Sequence, residues 1–267
     1  MSRLATRFEQ LKSQQRKALV SYVMAGDPHP QVTVPLLHQM VEAGVDVNEL
    51  GLPFSDPMAD GPVIALAAER ALAGGTNTLD VLDMVKAFRE KDQTTPVVLM
   101  GYLNPVEVIG YEKFVAYAKN CGVDGVLLVD LPPEESKQFG EVLKQNEMDQ
   151  IFLLAPTSTD KRIQHVVNHA SGFVYYVSLK GVTGAATLDT SEAAARIAKI
   201  KTMTNVPVGV GFGISDAASA KAMGQVADAV IVGSAFVKSF ATLPADDAVQ
   251  ETVNKVKELR AALDELV

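Results

Sequence analysis

Short apolar runs bounded by Gly, Pro, Asn or Asp recur through the whole chain, and stretches with helical periodicity separate them. The runs are LVSYVM (19–24), VDVNEL (45–50), VVLMGY (97–102), GVLLVD (125–130), IFLLA (151–155), FVYYVSL (173–179), VPVGVGF (206–212) and DAVIVG (228–233). Near-continuous apolar strands indicate parallel pairing, because a parallel sheet is covered by helices on both faces and has no wet side to present. PQVTVPLLHQMVEAG (30–44) and EESKQFGEVLKQN (134–146) carry the helical spacing that would cover it. Eight such units in 267 residues predict closure into an α/β fold of the (β/α)8, or TIM, barrel type. The rival is an open doubly wound sheet. Against it, MAGDPHP follows the first strand where a dinucleotide-binding sheet would place a G-x-G-x-x-G turn.

With 48% hydrophobic residues the chain can bury a large core, and no composition break or Ser/Gly linker divides it. We therefore expect one barrel domain over residues 1–267. The N-terminal MSRLATRFEQLKSQQRK puts Leu4, Phe8 and Leu11 on one helical face, which predicts an additional docked helix and no export signal. AVQETVNKVKELRAALDELV (248–267) reads as a closing amphipathic helix. A net charge of -8 without a Lys/Arg cluster argues against nucleic acid. No apolar run approaches the roughly 18 residues that suggest a membrane span. Cys121 is the only cysteine, so an internal disulfide is excluded, in keeping with a reducing cytosol.

The run at 45–50 ends on Glu49 and continues into ELGLPFSDPMADGP (49–62), a loop with three prolines and three carboxylates. If Val45, Val47 and Glu49 share one face by alternation, Glu49 points into the barrel mouth at the C-terminal end of its strand, where barrel enzymes place their chemistry. Burial there raises a carboxyl pKa and suits a group that gives and takes protons near neutral pH. The alternative is a buried Glu paired with a Lys or Arg. Asp60 precedes the helix that starts near Pro62, and Asp56 precedes Pro57, so each also reads as a cap or turn residue. Pro53, Pro57 and Pro62 stiffen the loop, which leaves Phe54 and Met58 to cover a ligand or a partner.

GVGFGISD (209–216) and VGSAF (232–236) are Gly-bearing turns after the last two strands. Barrels commonly hold a phosphate there on backbone N–H groups, which nominates Gly213, Ile214, Gly233 and Ser234. SLKGVTGAATLD (178–189) could close over a ligand, with Gly184 on the same phosphate and Thr183 against Asp60. His165 and His169 stand four apart, but HVVNH lacks the glutamate of H-E-x-x-H and nothing completes a metal site. His29 and His38 read as structural or solvated. Lys180 at a barrel mouth opens a second enzyme reading, a Schiff-base aldolase that borohydride would trap, although nothing beside Gly181 would desolvate the amine.

ELGLPFSDPMADGP, MGYLNP, LLVDLP, YYVSLKGVTGA, GVGFGIS and VGSAFV, in this order, resemble the tryptophan synthase alpha subunit family. The resemblance covers nearly the whole chain. It implies a cytoplasmic lyase that cleaves indole-3-glycerol phosphate to indole and glyceraldehyde 3-phosphate, with Glu49 and Asp60 as the catalytic carboxylates. It places Tyr22, Met100, Leu127, Leu153, Tyr175 and Phe212 around the indole ring. It implies no cofactor in this subunit, pyridoxal phosphate being expected only in a beta partner. Such a partner would meet Pro53, Asp56 and Met58 in an α2β2 complex. A noncatalytic chain that only activates the partner is a third reading, and retention of Glu49 and Asp60 speaks against it. Asn48 stands where relatives have an apolar residue. By alternation it faces the helix layer, where an unsatisfied polar group costs about 1 to 3 kcal/mol.

Overall fold

The computed structural model of the chain describes residues 2–177, 190–211 and 213–267. The N-terminal helix α1 spans Arg3–Ser13, with Ser2 as its cap; the Ser2 hydroxyl accepts from the Ala5 N–H and donates to Asp149. Then follow β1 (Ala18–Met24), α2 (Pro30–Glu42), β2 (Val47–Gly51), α3 (Pro62–Ala73) and α4 (Thr78–Arg89). The middle of the chain forms β3 (Val97–Gly101), α5 (Leu103–Ile109), α6 (Tyr111–Cys121), β4 (Gly125–Leu128) and α7 (Lys137–Gln145). Next come β5 (Asp149–Gln150), β6 (Phe152–Leu154), α8 (Asp160–His169), β7 (Val174–Val177), α9 (Thr190–Met203) and β8 (Val208–Gly211). The chain closes with α10 (Ala217–Gly224), β9 (Ala229–Val232), α11 (Ser234–Val237), a 3-10 turn (Lys238–Ala241) and α12 (Ala245–Asp264).

All strand pairs are parallel, and the sheet order is β5-β4-β3-β2-β1-β9-β8-β7-β6. Its two ends, β5 and β6, are separated by Ile151 alone, so they are one stave in two pieces, which starts two residues before the run expected at 151–155. The Ile151 N–H donates to the Val126 carbonyl at 3.0 Å and carries the ladder across the gap. The sheet is therefore a closed eight-stave barrel, and the open-sheet alternative falls.

Alternation sorts the side chains. Val20, Val47, Val98, Leu127, Phe173 and Ile231 fill the interior together with Leu4, Phe8 and Leu11 of α1, the Phe8 and Phe173 rings lying 5.9 Å apart. The helix α1 thus stoppers the N-terminal mouth of the barrel. Leu19, Val23, Leu50, Leu99 and Val126 point outward to the helix layer. Val45 joins that outer layer, contrary to the alternation expected from 45 to 49, because β2 begins only at Val47. Asn48 also faces outward: its Oδ1 accepts from the Ser21 hydroxyl at 3.1 Å, while its amide nitrogen is buried without a partner among the described residues. One of its two polar groups is thereby satisfied.

At the N-terminal rim one device repeats. Asp46, Asp124 and Asp228 each stand just before a strand and accept a backbone N–H from the start of a neighbouring one, at Leu19 (2.9 Å), Val97 (2.8 Å) and Val208 (2.9 Å). Each is also held by a cation: Asp46 by Arg260, Asp124 by Arg89 and Arg3, Asp228 by Lys201. First-strand N–H groups that no ladder can reach are thereby satisfied.

Candidate active site

Glu49 lies in mid-β2, in register with Tyr22 of β1 and Val98 of β3, and alternation with Val47 turns it inward. It is 1% exposed, and neither carboxyl oxygen has a hydrogen-bond partner among the described residues. Burial alone pushes its pKa up to about 8. The ion pair with Lys or Arg that was its alternative is absent among the described residues.

The loop after β2 turns back over the barrel mouth. Its start is stitched to β3 by the Leu52 N–H on the Met100 carbonyl at 2.8 Å, and the Asp60 N–H bonds the Pro57 carbonyl at 3.0 Å. Gly61, not Asp60, caps α3, so the Asp60 carboxyl is not consumed by a helix end. Burial raises the Asp60 pKa to about 6, against a hydrogen bond from Tyr102 that lowers it. The Tyr102 hydroxyl also accepts the Ala59 N–H at 3.1 Å, and its ring lies 5.5 Å from that of Phe54. Tyr102, with its own pKa at about 12, is a residue that the sequence reading missed. Its place at the end of the run 97–102, where barrel strands deliver side chains to the mouth, is the signal that could have found it.

Glu49 and Asp60 share one cavity of about 360 Å³. Tyr22, Met100 and Tyr175 line it, and so do Gly213, Ile214, Gly233 and Ser234 from the turns after β8 and β9. Gly213 has a φ of 75°, the left-handed region that favours glycine. Ile64, Ser215, Ile231 and Ala235 line the cavity too, without having been expected. Leu127 and Leu153 do not reach it; they belong with the inner apolar cluster. The expected contributions of Thr183, Gly184 and Phe212, and Lys180 of the aldolase reading, lie outside the described residues.

On the loop, Asp56 is exposed and Met58 is 77% exposed, whereas Pro53 is buried. His165 bonds Glu134 at 2.9 Å and His169 bonds the His165 carbonyl at 2.8 Å. Among the described residues no three His, Cys, Asp or Glu side chains gather in a way that could hold a metal ion, and no helix is long and apolar enough to cross a membrane.

A (β/α)8 barrel with two desolvated carboxyls over an apolar slot, and glycine turns at the far rim, defines a barrel enzyme of acid–base type. The family described as Tryptophan synthase alpha chain matches residues 8–266. The chain is 88% identical over 267 residues to the tryptophan synthase alpha chain of Acinetobacter baumannii, covering 100% of both. Among solved structures, it superposes with a TM-score of 0.91 on the tryptophan synthase subunit alpha of Legionella pneumophila, at 41% identity over 99% of each chain. It superposes with a TM-score of 0.88 on a chain of the aminoacrylate-bound tryptophan synthase of Mycobacterium tuberculosis, at 34% identity, covering 98% of this chain and 100% of that one. The chain belongs to the tryptophan synthase alpha chain family. It is a carbon–carbon lyase of tryptophan biosynthesis, cleaving indole-3-glycerol phosphate to indole and glyceraldehyde 3-phosphate, a reaction that alpha chains carry out without pyridoxal phosphate.

Proposed function

We propose that Glu49 is the acid–base group of this cleavage and Asp60 its electrostatic partner. The observation that carries the reading is that the two carboxyls face one apolar cavity with pKa values of about 8 and about 6, so that near neutral pH one is protonated and the other ionised. Glu49 gives its proton to indole C3, forming an indoleninium ion. The carboxylate left behind then takes the proton of the side-chain hydroxyl as the bond from C3 to the side chain breaks, the aldehyde forms and the electron pair returns to the ring. Asp60 accepts the ring N–H and stabilises the positive charge that develops there, which requires an ionised acid. Tyr102, donating to Asp60, favours that ionised form.

In this reading Tyr22, Met100 and Tyr175 hold the ring, with Leu127 and Leu153 supporting from the interior, and Gly213, Ile214, Gly233 and Ser234 take the phosphate. Thr183, Gly184 and Phe212 keep the roles that the family resemblance implies for them. Residues 1–267 act as one barrel unit in the cytoplasm. The partner is a tryptophan synthase beta subunit in an α2β2 complex. Asp56 and Met58, exposed on a proline-stiffened loop at the mouth, form the contact, and the buried Pro53 shapes it from beneath. The kinship with a chain of the M. tuberculosis tryptophan synthase supports this assembly.

Indole release from indole-3-glycerol phosphate, with and without a beta subunit, tests the whole reading. Release should rise with the partner and collapse in Glu49→Gln. An unchanged yield in Glu49→Gln would remove Glu49 from the chemistry.

A further inference from the structure

Tyr22 sits between two strand-end glycines. At its base, a Cβ on Gly233 would touch the Tyr22 Cβ and Cδ1 at 3.4 Å. At its tip, a Cβ on Gly51 would come within 2.8 Å of Cζ and closer still to the hydroxyl oxygen. Gly51 is not in the left-handed region, so its own backbone does not ask for glycine. What excludes a side chain there is chiefly the tyrosine tip in the notch above its Cα, with the Met24 sulfur at 3.1 Å beside it. The register explains the meeting: Tyr22 pairs with Glu49, and Gly51 is two residues further on, on the same face.

The ring cannot simply swing away. It packs in a cluster with Met24, Val237 and Ala67, Ala68 and Ala71, the small-residue face of α3. Its side chain lines the same cavity as Glu49 and Asp60. Apolar packing on these neighbours fixes the ring.

We propose that Tyr22 and Gly51 together set the substrate specificity of the ring slot, the hydroxyl filling the notch over Gly51 and so closing the slot to indole rings that carry a substituent on the benzo ring. The proposal rests on the reading of this cavity as the substrate site. Emptying the notch admits a methyl group. Filling it from the other side, with a methyl on residue 51, competes with the hydroxyl for the same space.

The test measures kcat/KM of the full chain with its beta subunit for indole-3-glycerol phosphate and its four singly methylated benzo-ring derivatives. Tyr22→Phe should raise the methylated-to-parent ratio by about tenfold at one ring position, the discrimination that one methyl group carries in an apolar pocket. Gly51→Ala should lower kcat/KM for the parent by about tenfold through overpacking. The double variant Tyr22→Phe with Gly51→Ala should recover part of that loss, since the closest contact goes while Cζ stays at 2.8 Å, a coupling expected only of groups in contact. A ratio unmoved at all four positions overturns the proposal, as does a double variant whose losses simply multiply. The Tyr22→Phe ratio keeps its force if Gly51→Ala does not fold. Absence of indole release by the unaltered chain would instead sink the reading of the cavity, a distinguishable result.

Discussion

Glu49 is costly to keep. An acid whose pKa rises from an ordinary 4.5 to about 8 on folding binds its proton more tightly in the folded state. Its contribution is unaffected below pH 4.5, where both states are protonated. Stability then falls as pH rises toward 8, because the unfolded chain ionises freely and the folded one does not. Over that window the loss is on the order of a few kcal/mol. Thermal unfolding of the protein and of Glu49→Gln, followed from pH 5 to pH 9, should show the variant gaining on the parent as pH rises, while its indole release drops by at least about a hundredfold. The same two groups set the activity profile. Asp60 must lose its proton at about 6 and Glu49 must retain its own up to about 8, so kcat/KM should be bell-shaped with limbs near those values. A flat profile across pH 5 to 9 would contradict the division of roles. Glu49 was legible from one strand's alternation, even though that alternation starts at Val47 and not at Val45. Tyr102 was not, because its importance arises only where a loop from β2 crosses the end of β3.

Among elements, the strands were readable to within a few residues because a parallel barrel stave is apolar on both faces and its ends are marked by Gly, Pro or Asp. The break at Ile151 and the short helix α5 were not, since nothing in local polarity distinguishes a stave from two half-staves. The lining of the cavity was legible in part for a related reason. Met100 and Leu127 look alike in sequence and pair in register, and only the folded barrel shows that the first lines the cavity while the second sits in the inner apolar cluster. The rim aspartates are another element-level device. Asp124 and Arg89 are 4% and 7% exposed at the side chain, paired at 2.7 Å, and Asp124 also holds the Val97 N–H. Removing one partner strands the other, so Asp124→Ala should lower stability by about 3 to 5 kcal/mol in urea titration. A loss under about 1 kcal/mol would show that the rim is solvated and the clasp dispensable.

At the scale of the molecule, the barrel separates its tasks by end. The carboxyls and glycine turns lie at the C-terminal mouth, and α1 with the rim aspartates at the other. Phe8→Ala should therefore cost about 3 to 5 kcal/mol of stability as a cavity opens beneath Phe173. Its kcat/KM at 25 °C should stay within about threefold of the parent, because no part of the change reaches the mouth. A larger kinetic effect would mean that the two ends are mechanically linked.

The stopper formed by Leu4, Phe8 and Leu11 makes the barrel axis a blind alley. Among the described residues the Glu49 cavity opens toward the C-terminal mouth, and the packed interior and α1 close the way from behind. Whatever rests on that mouth therefore governs access to Glu49, however fast the chemical step.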